Sequence, residues 1–160
     1  MLANIARQAD ALFIVNDHAD IAAAVEAGGV HLGQEDFPIA AARKLAGVDR
    51  IIGISTHSRE QAVLAEQSGA DYIGFGPVFP TRTKDAGEVQ GLEMLVSIRL
   101  SVRIPLIAIG GINHGNCGDV MRAGADGVAV ISAVLAAEDP AKAAGAMVRL
   151  LAESRINNRK

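Results

Sequence analysis

Residues 67–76 read QSGADYIGFG, the order of a helix end feeding a buried strand. Ser68 and Gly69 are the small residue and the glycine that stop a helix, and the apolar run YIGF (72–75) begins within a few residues of them. Two near copies occur elsewhere, EAGGVHLG at 26–33 and RAGADGVAVIS at 122–132. A junction used three times in one chain points to a repeated β–α unit rather than a mixed assembly.

Six short apolar runs supply the strands of that unit: ALFIV (11–15), GVHL (29–32), RIIGI (50–54), YIGF (72–75), PLIAI (105–109) and GVAVI (127–131). They lack polar alternation, which is how strands of a parallel sheet, covered on both faces, read. Helical segments lie between them. SREQAVLAEQSG (58–69) opens with Ser58 and Gln61 at capping-box spacing, and EDPAKAAGAMVRLLAESR (138–155) places Asp139 as N-cap with Pro140 at the first helical position. The strands recur about every twenty residues, except across the interval that contains GPVFPTRTK (76–84).

The 160 residues are half hydrophobic but only 3% aromatic, so a core of Ala, Val, Ile and Leu is expected in one domain, residues 1–160. Net charge is −3 and no run of Lys or Arg forms a basic face, which argues against nucleic acid as a partner. The single cysteine, Cys117, excludes an internal disulfide and a Cys-rich metal site; a semi-buried thiol near a helix start is its simplest reading. No apolar stretch reaches the roughly 20 residues of a membrane span, and no signal peptide is seen, so a cytoplasmic location is expected.

Alternating strands and helices leave an open doubly wound sheet or a (β/α)8 barrel. The first turn after a strand reads VNDHAD (15–20), without the G-x-G-x-x-G of a dinucleotide site. A barrel instead asks for polar or small residues at the C-terminal end of every strand. They are present: Asn16-Asp17, Gly33-Gln34-Glu35-Asp36, Ser55-Thr56-His57, the GPVFPTRTK loop, Gly110-Gly111 and Ser132. Barrels often seat a phosphate between the loops after their last two strands, where AIGGIN and AVISA supply glycines and a serine. The expected fold is therefore α/β, a TIM (β/α)8 barrel reduced to about six units, strands three to eight.

Asp17 and Asp36 end consecutive strands and would sit side by side on one rim. Two such carboxylates repel unless a proton or cation separates them, and Mg2+ would do so while bridging to phosphate oxygens; equally, each could cap the helix that follows. Gln34 and Glu35 could support such an ion or be solvated. Ser55 reads as a phosphate or hydroxyl ligand, or as a cap. For His31 and His57 a satisfied packing role is expected, while His18 and His114 should face solvent at helix starts. Gly110-Gly111 with Ser132 could let a bound anion approach the backbone, or form a tight turn. In GPVFPTRTK the prolines preset the backbone, Thr81 and Thr83 offer hydroxyls, and Lys84 offers a charge toward the rim of the two aspartates.

Taken in order, FIVND, GVHLGQED, IIGISTH, GADYIGFGPVFPTRTK, IPLIAIGGIN and GADGVAVISA resemble the blocks of the thiamine phosphate synthase family, from Ala11 to the last helix. The resemblance implies a transferase of thiamine biosynthesis. Such an enzyme joins 4-amino-5-hydroxymethyl-2-methylpyrimidine diphosphate to hydroxyethylthiazole phosphate, releasing pyrophosphate. On matching positions it implies Asp17 and Asp36 as Mg2+ ligands and Asn16 as a contact to the pyrimidine. Ser55 and Lys84 would bind the diphosphate and act in catalysis. Thr81, Arg82 and Thr83, with Gly111, Ile131 and Ser132, would line the thiazole phosphate site.

The family's first strand, YLVTD-like, and its second, ending QLREK-like, have no counterpart here, and MLANIARQAD looks like the end of the second helix. Two sheet edges are then expected to stay open, which leaves self-association or a partner chain as ways to complete a barrel. Two alternatives accompany the synthase reading. One is a thiazole tautomerase-like protein of the same barrel, expected to carry a His where this chain has Pro77 and to lack T-x-T-K. The other is a non-catalytic phosphate-binding remnant or subunit.

Overall fold

All six apolar runs carry a strand, and the six pair in parallel in sequence order, β1-β2-β3-β4-β5-β6. The computed structural model describes residues 2–81 and 87–157, with side chains to Ser154. The strands are β1 (Ile14–Asn16), β2 (Gly29–Leu32), β3 (Ile51–Thr56), β4 (Tyr72–Phe75), β5 (Leu106–Ile109) and β6 (Gly127–Ala129). The helices are α1 (Leu2–Gln8), α2 (Ala19–Ala24), α3 (Ile39–Ala46), α4 (Arg59–Gln67), α5 (Gly91–Ser101), α6 (Cys117–Arg122), α7 (Ser132–Leu135) and α8 (Pro140–Asn157).

Strand order is what separates the two candidate architectures. A doubly wound sheet reverses direction once; here each crossover steps the same way. Right-handed connections then put the crossover helices α2 to α6 on one face of the sheet. The result is a curled half-barrel of six parallel strands with its helices outside. Among the described residues β1 and β6 each pair on one side only, the two open edges expected from sequence.

Register divides the strand residues cleanly. Val30 pairs with Ile52; Leu32 lines up through Ile54 and Ile73 with Leu106; Thr56 lines up through Phe75 and Ala108 with Val128. This outer set is almost wholly buried, packed on Ala62, Ala65, Leu95, Ile98 and Val120 of the helices. Each such Val, Leu, Ile or Phe contributes roughly 1.5–3 kcal/mol by leaving water. Alanines on the helices let them approach the sheet closely, which explains a core with so few aromatic rings.

The inner set alternates large with absent side chains. Gly29 lies between Ile14 and Ile51, Gly53 between His31 and Tyr72, and Gly74 between Ser55 and Ile107. A Cβ on Gly53 would come within 2.1 Å of the Tyr72 ring, and one on Gly74 within 3.1 Å of His31. Glycine here makes room for a neighbour's ring on a concave surface.

The three junction copies form the same bond at the opposite end of the sheet. Gly28, Asp71 and Asp126 each donate their N–H to the preceding strand's segment, at Phe13, Ile52 and Leu106, all at 2.8 Å. In the two GAD copies the aspartate also takes a bond back. Asp71 accepts the Ile52 N–H at 2.7 Å and pairs with Arg43; Asp126 accepts the Leu106 N–H at 2.8 Å and pairs with Arg99.

Smaller expectations shift. Ser58 caps α4 through the Gln61 N–H, but Gln61 reaches back to the His57 N–H rather than to that of Ser58. Asp139 accepts the Lys142 N–H, as an N-cap should. GVAVI stops pairing at Ala129, and Ile131 becomes the residue that enters α7. Cys117 is fully buried, and His114, expected in solvent, is half-buried with its Nε2 on the Ala143 carbonyl of α8.

Candidate active site

The C-terminal ends of the strands gather the expected residues on one rim. Asn16 ends β1, and Asp17 turns out of it in the left-handed region at φ 65°, held by its N–H on the His31 carbonyl. That bond ties the end of β1 to β2 and puts both residues at the exposed mouth. Asp36 follows β2, and its Oδ2 accepts the Gly33 N–H at 2.6 Å, closing the loop on itself. Neither aspartate caps the helix that follows, as the sequence allowed: α2 and α3 start at His18 and Pro38 without a side-chain cap, and Asp36 bonds its own loop instead. Among the described residues no three His, Cys, Asp or Glu side chains converge as a metal cage.

Ser55 lies on the inner face between these carboxylates and the rest of the rim. Gln34, from the loop after β2, donates to its carbonyl at 2.6 Å, so this side chain supports Ser55 rather than an ion. The Ser55 Oγ lies 2.9 Å from His31 Nε2, and His31 Nδ1 lies 2.8 Å from the Tyr72 hydroxyl. Three strands are joined by this chain. The His31 ring stacks at a tilt on Tyr72 with centroids 5.3 Å apart. Burial pushes the His31 pKa down against a smaller upward pull from Asp17, and burial pushes Tyr72 up to about 12. The Tyr72 phenol is therefore neutral at pH 7.

The loop after β4 lies across the end of β5. Val78 and Phe79 donate to the carbonyls of Ile109 and Gly110, and Pro77 accepts from Gln90. Gly110 and Gly111 have φ of 95° and 64°, and a Cβ on either would strike Pro77 at 2.6 Å or the Pro80 carbonyl at 2.5 Å. The pair is thus explained first by the loop that rests on it. Next to it opens a pocket of about 470 Å³ lined by Pro80, Thr81, Gly111, Ile112, Asn113, Ser132 and Ala133. Asn113 and Asn116 both donate to the Gly111 carbonyl, at 3.4 and 3.0 Å, fixing the floor of that pocket. Ser132 forms its far lip at the start of α7, and exposed Ile131 precedes it in sequence. Arg82, Thr83 and Lys84 lie outside the described residues.

This geometry brings together Asn16, Asp17, Asp36 and Ser55 at one end of the rim, and Thr81, Gly111, Ile131 and Ser132 at the other. Over residues 1–134 the chain matches the family model described as thiamine monophosphate synthase. It belongs to that family. The thiamine-phosphate synthase of Methanospirillum hungatei is 56% identical over 152 residues, covering 94% of this chain and 74% of the relative. That of Pyrococcus furiosus is 51% identical, covering 95% and 73%. The solved thiamine phosphate pyrophosphorylase from Pyrococcus furiosus superposes with a TM-score of 0.89 at 50% identity over 96% of this chain and 73% of its own. A 3-hexulose-6-phosphate synthase, at TM-score 0.72 and 20% identity, shares the fold alone. The chain thus spans about three quarters of the length of these thiamine monophosphate synthase relatives.

Within this synthase-family site, sequence reading missed Tyr72, the support given by Gln34, and the pair Asn113 and Asn116. His31 was legible only as a satisfied histidine. It is satisfied on both nitrogens, and its partners are what matter. The available signal was period two: His31, Ser55 and Tyr72 all fall on the face opposite the fully buried positions.

Proposed function

We propose that this chain is a thiamine phosphate synthase acting on 4-amino-5-hydroxymethyl-2-methylpyrimidine diphosphate and hydroxyethylthiazole phosphate. The observation that carries the reading is one concave rim with two separate polar sites: an acidic corner with a serine on β1 to β3, and a loop-walled pocket on β5 and β6. Joining two phosphorylated substrates calls for such a pair. We also read the half-barrel as strands three to eight of a TIM barrel, a reading supported by its one-directional strand order and its match to Pyrococcus furiosus pyrophosphorylase.

In the reaction the C–O bond between the pyrimidine's methylene and the diphosphate breaks, and pyrophosphate leaves with the electron pair. The thiazole nitrogen then forms the new C–N bond with the methylene. Asn16 orients the pyrimidine, Ser55 donates to the diphosphate, and Lys84 neutralises the charge that develops on it. Thr81, Arg82, Thr83, Gly111, Ile131 and Ser132 hold the thiazole phosphate, so that the nitrogen meets the methylene at contact distance. No general base is needed, since no proton must be removed for the bond to form.

Asp17 and Asp36 would hold Mg2+. Exposed carboxylates at the ends of two neighbouring strands are the hard oxygen donors that such an ion takes. Bound there, the ion would supply charge neutralisation to the departing pyrophosphate. Pro77 in place of a histidine weighs against the tautomerase alternative.

Incubating the purified chain with both substrates and Mg2+ should yield thiamine phosphate and pyrophosphate in equal amounts, followed by phosphorus NMR. Asp17→Asn and Ser55→Ala should each lower the rate at least tenfold. Calorimetric binding of the thiazole phosphate without any binding of the diphosphate would instead make the chain a phosphate-binding module.

A further inference from the structure

A neutral histidine carries one ring proton, and both His31 nitrogens are engaged, so only two arrangements of the chain Tyr72–His31–Ser55 exist. In one, Nδ1–H donates to Tyr72, and Ser55 spends its proton on Nε2. In the other, Tyr72 donates to Nδ1, and Nε2–H donates to Ser55 Oγ. The phenol is a far stronger acid than the serine hydroxyl, hence the better donor to an imidazole lone pair. His31 Nδ1 is also the hydrogen-bond partner the phenol has among the described residues. Acidity therefore favours the second arrangement.

Its consequence falls on Ser55. With Oγ accepting from His31, the serine's own proton is released toward the rim, where an anionic phosphate oxygen needs a donor. In the other arrangement Ser55 would present lone pairs to that anion and repel it. The surroundings fix the parts: Gly53 leaves the space that the Tyr72 ring fills, and Gln34 pins the Ser55 carbonyl.

We propose that Tyr72 and His31 are positioning residues that set the Nε2–H tautomer and thereby hold Ser55 as a hydrogen-bond donor to the substrate diphosphate. This rests on the diphosphate role given to Ser55 above. It is tested in two steps on the full chain. Two-bond proton–nitrogen spectra near pH 7.5, with His31 assigned by its loss in His31→Gln, should show Nε2 protonated and Nδ1 bare. An Nδ1–H tautomer, or an averaged pair, overturns the proposal without any activity measurement.

The second step is a double-mutant cycle on kcat/KM for the diphosphate. Tyr72→Phe keeps the ring on Gly53 and should cost about tenfold with Ser55 present, but less than twofold in a Ser55→Ala background, with KM for the thiazole phosphate unchanged in both. Equal losses in the two backgrounds would mean that Tyr72 merely packs, and the proposal fails. If Ser55→Ala alone costs nothing while the tautomer is Nε2–H, the diphosphate role of Ser55 falls and the tautomer assignment stands.

Discussion

Replacing Asp71 by alanine should weaken the fold and leave the chemistry alone. Asp71 sits just before β4, at the N-terminal end of the strand, whereas Ser55 and the loop after Phe75 lie at the other end. Its carboxylate holds the N–H of fully buried Ile52 at 2.7 Å and the Arg43 guanidinium at 2.9 Å. Leaving that N–H without an acceptor costs about 1–3 kcal/mol. The partly exposed ion pair adds about 0–1 kcal/mol. Together these give roughly 1–4 kcal/mol, which for a chain of this size lowers Tm by roughly 2–16 °C. Asp71→Asn keeps an oxygen for Ile52 and loses only the charge, so its drop should stay under about a third of that. Calorimetry of the two variants beside the parent checks the difference, and kcat below the transition should match the parent in both. Equal Tm losses for Ala and Asn would refute the assignment of the clasp to the backbone bond, as would a fall in kcat without a fall in Tm.

Tyr72 is the only tyrosine and tryptophan is absent, so absorbance at 295 nm titrates it directly. Its folded pKa of about 12 against about 10 unfolded means that stability from the neutral phenol is full below pH 10 and is lost as pH rises from there toward 12. A folded chain titrating near 10 would contradict the burial of the ring. Glu66 accepts the N–H groups of Arg103 and Ile104, which hold its pKa below the usual value. Its contribution is complete above about pH 4.5 and disappears as pH falls through the lower folded value. Glu66→Gln should therefore flatten the acid side of a urea-midpoint curve below pH 4.5, and an unchanged slope there would oppose it. Gly111→Ala puts a Cβ 2.5 Å from the Pro80 carbonyl, and should raise KM for the thiazole phosphate at least tenfold with little change for the diphosphate. The reverse pattern in steady-state kinetics would move the thiazole phosphate away from this pocket.

The repeated unit was legible because helix ends and strand starts are set by neighbours in sequence: Ser68-Gly69 before YIGF, Ser58 with Gln61, Asp139 with Pro140. Strand-end residues such as Asp17, Asp36 and Ser132 were legible for the same reason, since the end of an apolar run shows where a rim must be. What escaped depends on register between strands. That His31 faces Tyr72 across Gly53 follows from the pairing of β2, β3 and β4, which no local pattern specifies. Likewise Gly110-Gly111 could be a turn or a ligand platform until the loop carrying Pro77 and Pro80 was seen lying on it. The bonds from Asn113 and Asn116 to Gly111 look, in sequence, like ordinary loop polarity.

The one-directional strand order also bears on how the chain is made. Each strand pairs with the one synthesised just before it, from 15 residues apart, Ile14 to Gly29, to 33 apart, Ile73 to Leu106. Loop closure over such spans differs by only about 0.7 kcal/mol, and no pairing has to wait for a distant partner. As the chain leaves the ribosome, every new β–α unit can dock on a finished edge and offer a fresh one to the next. Growth is then vectorial, and the part of the rim formed by Ile131 and Ser132 is added after the parts formed by Asp17, Asp36 and Ser55.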